Sequence, residues 1–176
     1  MQKRHIFLTG EVQVGKSTLI RRLLAQPDVP APSGFRTVSV ADLPDGQVSV
    51  YLLPASGAPR YAEENRVGIR CGAFACFPER FDTAGVASLA DAEHAPLILM
   101  DEVGRMEREA DRFTARILQL LDGAVPIIGV VKKRSDTPLC EAIRRHPAVE
   151  LIEVTAENRD ALFTPLNVLL HAILNR

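Results

Sequence analysis

Neither sign of charge dominates this chain. Its 21 Lys and Arg stand against 22 Asp and Glu, the formal net charge is −1, and no long run of one sign occurs. A broad basic face for duplex nucleic acid is therefore not expected, although a local cluster of cations could still exist. Apolar runs are short as well. None approaches the length of a membrane span, and no cleavable leader is expected before the first strand. Cysteine is scarce: Cys71, Cys76 and Cys140 are odd in number and cannot all pair within the chain. With no second Cys or His pair at zinc spacing, they read as idle or buried thiols, and the simplest setting is a reducing, cytoplasmic one. The four histidines are scattered and suggest no metal cluster. No repeat, low-complexity tract or linker divides residues 1–176. With 47% apolar and 24% charged residues, one globular domain with a full core is expected.

What the chain does have is alternation. "HIFL" at 5–8, "LILM" at 97–100, "PIIGVV" at 126–131 and "VELIEV" at 149–154 are short apolar runs of the kind that form buried strands. Between them lie helical stripes. Leu19, Ile20, Leu23 and Leu24 share a face before Pro27, Pro30 and Pro32 stop that helix. Met106, Ala110, Phe113, Ile117 and Leu121 form a second stripe, residues 138–145 a short helix, and Leu162, Leu166, Leu169 and Ile173 a last one. Strands continuous in apolar residues, alternating with amphipathic helices, predict a mainly parallel sheet with helices on both faces, a three-layer α/β fold. Residues 35–53 read as two strands around the turn signal "DLPDGQ". The segment 54–80 reads as loop with some β structure near "AFACF", so that about 35–80 looks like an insertion in the fold.

"TGEVQVGKS" at 9–17 carries the spacing G-x-x-x-x-G-K-S between a strand and a helix, the context of a phosphate-binding loop. Gly10, Glu11, Val12, Gln13, Val14 and Gly15 would offer backbone N–H groups, with the positive end of the following helix behind them. Lys16 would reach the β- and γ-phosphates, Ser17 would hold Mg²⁺, and Thr18 could donate to the α-phosphate. Gln13 occupies a position where such loops often carry glycine; a positive φ there would cost about 1 kcal/mol without removing its N–H. A chance match in a β-to-α turn is the bland alternative.

"LILMDEVGRME" at 97–107 delivers Asp101 and Glu102 to the carboxyl end of a strand, where open α/β sheets bind ligands. Asp101 is placed to hold Mg²⁺ and Glu102 to deprotonate an attacking water as general base. A solvated strand end would explain the same pair. Lys132 and Arg134, in the loop after "PIIGVV", could lean on the γ-phosphate or be surface charge. Asn158 and Arg159, after the last strand, could meet base or ribose or simply cap and pair. Arg105 and Glu107 are expected to brace the acidic loop by ion pairing. Arg60, Arg66 and Arg70 could form a lid over the phosphates or ordinary surface charge. "KKRSD" does not supply an N-K-x-D guanine-reading motif.

These strings together resemble a family of small nucleoside-triphosphatases of archaea and bacteria, with a human relative. The matching pieces are "FLTGEVQVGKSTLI", "SGFRT", "MDEVGRME", "PLCEAIRR" and "VTAENRD", in order along most of the chain. The resemblance implies a P-loop fold of the catalytic-Glu group and Mg²⁺-dependent hydrolysis of ATP, GTP and other triphosphates, slow and broad in base preference. Carried over by position, Gly10, Gly15, Lys16, Ser17 and Thr18 match the family's loop, and Asp101 with Glu102 its metal-and-base pair. Val12-Gln13 replaces the usual Pro-Gly, the "GFRT" strand lacks the acidic residue and arginine that commonly follow it, and 54–80 matches poorly. Two other function classes remain open at this point. One is a nucleoside or small-molecule kinase, which would need a second pocket lined by 54–80; the other is a nucleotide-dependent adaptor that a partner reads.

Overall fold

The computed structural model describes residues 3–175. Its eight strands are β1 (His5–Thr9), β2 (Ser33–Val40), β3 (Val48–Pro54), β4 (Arg66–Cys71), β5 (Ala73–Cys76), β6 (Ile98–Val103), β7 (Ile127–Val131) and β8 (Val149–Glu153). They join in one sheet of order β5-β4-β3-β2-β6-β7-β1-β8. The block β2-β6-β7-β1-β8 is parallel throughout, while β3, β4 and β5 continue from β2 as an antiparallel meander. The expected α/β sheet is thus present, and the segment read as loop supplies two paired strands that widen it. β2 is the end strand of the parallel block, pairing with β6 on one side and antiparallel with β3 on the other, so the added part of the sheet is β3 to β5.

Apolar alternation along each parallel strand sorts the core into two layers. Ile6, Leu8, Leu97, Leu99, Ile128 and Val130 face α1 (Lys16–Leu24) and the last helix, through Leu19, Ile20, Leu23, Leu166, Leu170 and Ile173. Phe7, Ile98, Met100, Ile127, Val131 and Val149 face the opposite layer. That layer holds a helical segment with one α turn at Pro78–Arg80 (α2), a π-helical stretch at Phe81–Gly85 and a further α turn at Val86–Ser88 (α3), followed by α4 (Asp111–Asp122) and α5 (Pro138–Arg145). The last helix, α6, spans Phe163–Leu174. Both faces of the sheet are covered, as parallel strands require. No helix among the described residues is long and apolar enough to cross a membrane.

The helix read at 138–145 is α5 as expected, but local expectations fail at the starts of α4 and α6. Met106 and Ala110 precede α4 and turn inward from successive loop turns closed by Arg108 N–H to Arg105 O and Ala110 N–H to Glu107 O. Leu162 likewise precedes α6. Apolar periodicity runs on through a tight turn, because turn residues also aim side chains at the core. The helical segment at 78–88 went unassigned from sequence, although Phe81, Gly85, Leu89 and Ala92 follow helical spacing and are buried. It locks onto α4: Asp82 accepts from Phe113 N–H at 2.9 Å, supplying a cap for which Ala110 has no acceptor, and the Phe81 and Phe113 rings pack tilted at 5.4 Å.

Candidate active site

In a parallel block every strand ends at the same edge, so the loops after β1, β6 and β7 converge there. The chain leaves β1 through Gly10, whose φ is 140° and where a Cβ would lie 2.2 Å from the Val154 carbonyl oxygen; only glycine fits. It turns back through Gln13 at φ 64° and Gly15 at φ 103°, where α1 begins. Gln13 is thus in the left-handed region with an exposed side chain, a strain of about 1–2 kcal/mol. Among the described residues no side chain caps the start of α1. Its first-turn N–H groups lack a side-chain acceptor, which an anion bound at the loop would supply. Lys16 is buried and donates from Nζ to the carbonyls of Gly10 at 3.0 Å and Glu11 at 2.6 Å. Burial lowers its pKa, an effect opposed by the nearby Glu102 and Asp101 carboxylates.

β6 carries the acidic pair between β2 and β7. Gly34 of β2 lets the two strands close up, since a Cβ there would stand 2.1 Å from Leu99 O. Asp101 is 8% exposed and accepts from Ser17 Oγ at 3.0 Å. Burial pushes its carboxyl up to about 6, against the opposing pull of that hydrogen bond. The register against β7 shifts between Asp101 and Val103, which leaves Glu102 as the extra residue of a bulge. A bulge re-aims its side chain out of strict alternation. Glu102 N–H donates to Thr37 Oγ1 of β2 at 3.4 Å, and its carboxylate meets Lys132 Nζ at 3.0 Å. The peptide bond between Asp101 and Glu102 is cis.

The cations after β7 separate by partner. Lys132 goes to Glu102, Lys133 bridges Glu153 at 2.6 Å and Glu11 at 3.7 Å, and Arg134 reaches Glu11 at 3.0 Å. Arg105 braces the same loop through Arg134 O at 3.2 Å and Asp136 at 3.7 Å. Glu107 braces the acidic loop itself, with no ion pair among the described residues: buried at 3% exposure, it accepts from Gly104 N–H, while Thr137 Oγ1 donates to Gly104 O at 3.2 Å. Burial pushes Glu107 up to about 7.

A family described as "NTPase" matches residues 5–166. The chain belongs to the NTPase family. Nucleoside-triphosphatase THEP1 of Hyperthermus butylicus is 30% identical over 171 residues, covering 90% of this chain and 86% of that protein. The crystal structure of THEP1 from the hyperthermophile Aquifex aeolicus superposes with a TM-score of 0.75 at 26% identity, over 94% of this chain and 98% of that one. The solution structure of a human cancer-related nucleoside triphosphatase gives 0.71 at 26%, over 96% and 98%. The P-loop NTPase α/β fold inferred from the strings is therefore the fold of this NTPase-family chain.

One cavity of about 850 Å³ brings most of the nominated residues of this NTPase-family chain together. Gly10 to Gln13 and Gly15 to Thr18 line one side, Glu102 and Lys132 to Arg134 another. Asp101 stands behind Ser17. Asn158 and Arg159 are not among its walls. Asn158 instead accepts from Thr155 N–H at 2.8 Å and donates to Glu153 O at 3.0 Å, closing a local turn, while the Arg159 stem runs beside Gly15. Arg60 and Arg66 pair with Glu64 and Glu63 on the surface; of the three lid candidates only Arg70 lines the cavity. Ser39, Phe74, Cys76 and Met106 also line the cavity, and none of them was a candidate site residue in the sequence. Strand register brings Ser39, Phe74 and Cys76 there, and the turn after β6 brings Met106.

Proposed function

We propose that this NTPase-family chain hydrolyses nucleoside 5′-triphosphates to the diphosphate and phosphate, with Mg²⁺, and that Glu102 is the general base. The observation that carries the reading is that Glu102 shares one cavity with the phosphate loop, beside the Ser17–Asp101 pair. The loop N–H groups and Lys16 bind and orient the phosphates; Lys16 would exchange the carbonyls of Gly10 and Glu11 for β- and γ-phosphate oxygens. Ser17 and Asp101 are hard oxygen donors already in contact, a set that suits Mg²⁺ completed by water and phosphate oxygens. Bound there, the ion would neutralise charge on the β- and γ-oxygens. Glu102 takes a proton from water; the water oxygen bonds to the γ-phosphorus as the bond to the β,γ-bridging oxygen breaks. That electron pair leaves with the diphosphate. With the Asn158 amide held in a local turn, weak base preference is the natural expectation.

Phosphate release from ATP, GTP, CTP and UTP with Mg²⁺ and no added acceptor tests this, comparing wild type with Glu102→Gln. Turnover should fall by on the order of 10²-fold or more in the variant with binding retained. Equal rates would remove Glu102 from the chemistry. If wild type binds but releases no phosphate, an acceptor other than water fits the Arg70–Phe74–Cys76 wall, and the kinase reading takes over.

A further inference from the structure

The base proposed above is already engaged. Lys132 Nζ lies 3.0 Å from Glu102 Oε1, and both line the same cavity as the phosphate loop. Among the described residues no other acidic side chain pairs with Lys132, whereas Lys133 and Arg134 are taken up by Glu11 and Glu153. The Lys132 backbone cannot follow its side chain. Its N–H donates to Val103 O at 2.9 Å, and its carbonyl accepts from Arg144. Its stem lies on Gly104, where a Cβ would stand 2.7 Å from Lys132 Cδ. Gly104 in turn is held at its N–H by Glu107 and at its carbonyl by Thr137. Only the ammonium end of Lys132, itself partly exposed, is at liberty to change partner.

We propose that Lys132 is a triphosphate-sensing positioning residue: it holds Glu102 while the site lacks a γ-phosphate and transfers to that phosphate when it arrives, releasing the carboxylate to water. The physical ground is competition between anions for one cation. A γ-phosphate carries more charge and more acceptor oxygens than a carboxylate, and charge-assisted contacts to it are correspondingly strong. A diphosphate ends short of this point and leaves the pair intact. The base would then be free only over a complete substrate. This inference rests on the reading of Glu102 as base, but its test measures binding and not turnover, so the two can fail separately.

The test is a double-variant cycle on affinity for ADP and for a non-hydrolysable ATP analogue, both with Mg²⁺. In Glu102→Gln, Lys132 no longer has to be drawn off, and the analogue should bind on the order of 10-fold tighter with ADP unchanged. In Lys132→Met the analogue should bind about 10-fold more weakly, again with ADP unchanged, and Lys132→Arg should restore much of the loss. The deciding case is Glu102→Gln combined with Lys132→Met, where the gain from Glu102→Gln should vanish. If the gain persists there in full, it arises only from removing a negative charge near the γ-phosphate, and the hand-over is wrong. Equal effects on ADP and the analogue would overturn it as well, and retained ADP binding certifies that each variant is folded.

Discussion

Glu107 offers a test in which removing a charge should stabilise the protein. Its carboxyl is buried, accepts a hydrogen bond from Gly104 N–H, and is pushed up to about 7 from 4.5, mainly by loss of hydration. A carboxyl whose folded pKa lies above its unfolded one binds its proton more readily when folded. Stability is therefore lost as pH rises from about 4.5 towards 7, and the penalty is complete above the folded value. The shift of about 2.5 units corresponds to about 3.4 kcal/mol at full ionisation, at about 1.36 kcal/mol per unit. Glu107→Gln keeps an acceptor for Gly104 and cannot ionise. Against wild type it should gain about 2.5 kcal/mol of stability between pH 5 and pH 8.5. For a chain of this length that is a widening of melting temperatures by about 5–10 °C. Urea unfolding of the nucleotide-free proteins at several pH values reads it directly. Parallel profiles would show that the buried carboxylate carries no penalty. A gap that narrows with pH would mean that Gly104 N–H and Lys132 stabilise the anion outright, and the linkage argument would be refuted.

Two further perturbations isolate other parts of the molecule. His5 is buried, has Nε2 2.9 Å from Leu121 O, leaves Nδ1 without a partner among the described residues, and has its pKa lowered to about 4, chiefly by burial. The unfolded chain takes up the proton first, so stability should drop by about 3 kcal/mol from pH 7 to pH 4 relative to His5→Gln, in unfolding titrations of both; a pH-independent difference would count against it. Gln13→Gly relieves about 1–2 kcal/mol of left-handed strain against about 0.4–1 kcal/mol of added chain entropy in the unfolded state. The melting temperature should rise by about 1–4 °C, and a fall would show that the Gln13 side chain stabilises the loop in some other way.

Local chemistry is what sequence can show, and here it was concentrated in a few strings. The phosphate loop needs glycine at position 15, where the backbone turns through a positive φ into α1, and a lysine directly after it, requirements confined to neighbours in the chain. The parallel strands needed both faces apolar, so His5–Thr9 and Ile127–Val131 stood out as continuous buried runs. β4 did not, and β5 was legible only as some β structure near "AFACF", because an antiparallel extension with exposed Arg70, Cys71 and Phe74 has no such pattern. The start of α4 differs from the apolar stripe for a related reason: Met106 and Ala110 point inward from turns that periodicity cannot distinguish from a helix.

Composition and spacing by themselves therefore determined the layered α/β class, the phosphate loop and the acidic pair, because each depends on residues adjacent in sequence. Tertiary structure alone decided which cation meets which anion. Lys132, Lys133 and Arg134 are consecutive and chemically alike, yet the end of β7 directs the first to Glu102 on β6 and the other two to Glu11 after β1 and Glu153 on β8. A bulge aims Glu102, and strand order places β7 between the loop and the acidic pair. Such pairings are set by distances across the sheet, between residues far apart along the chain.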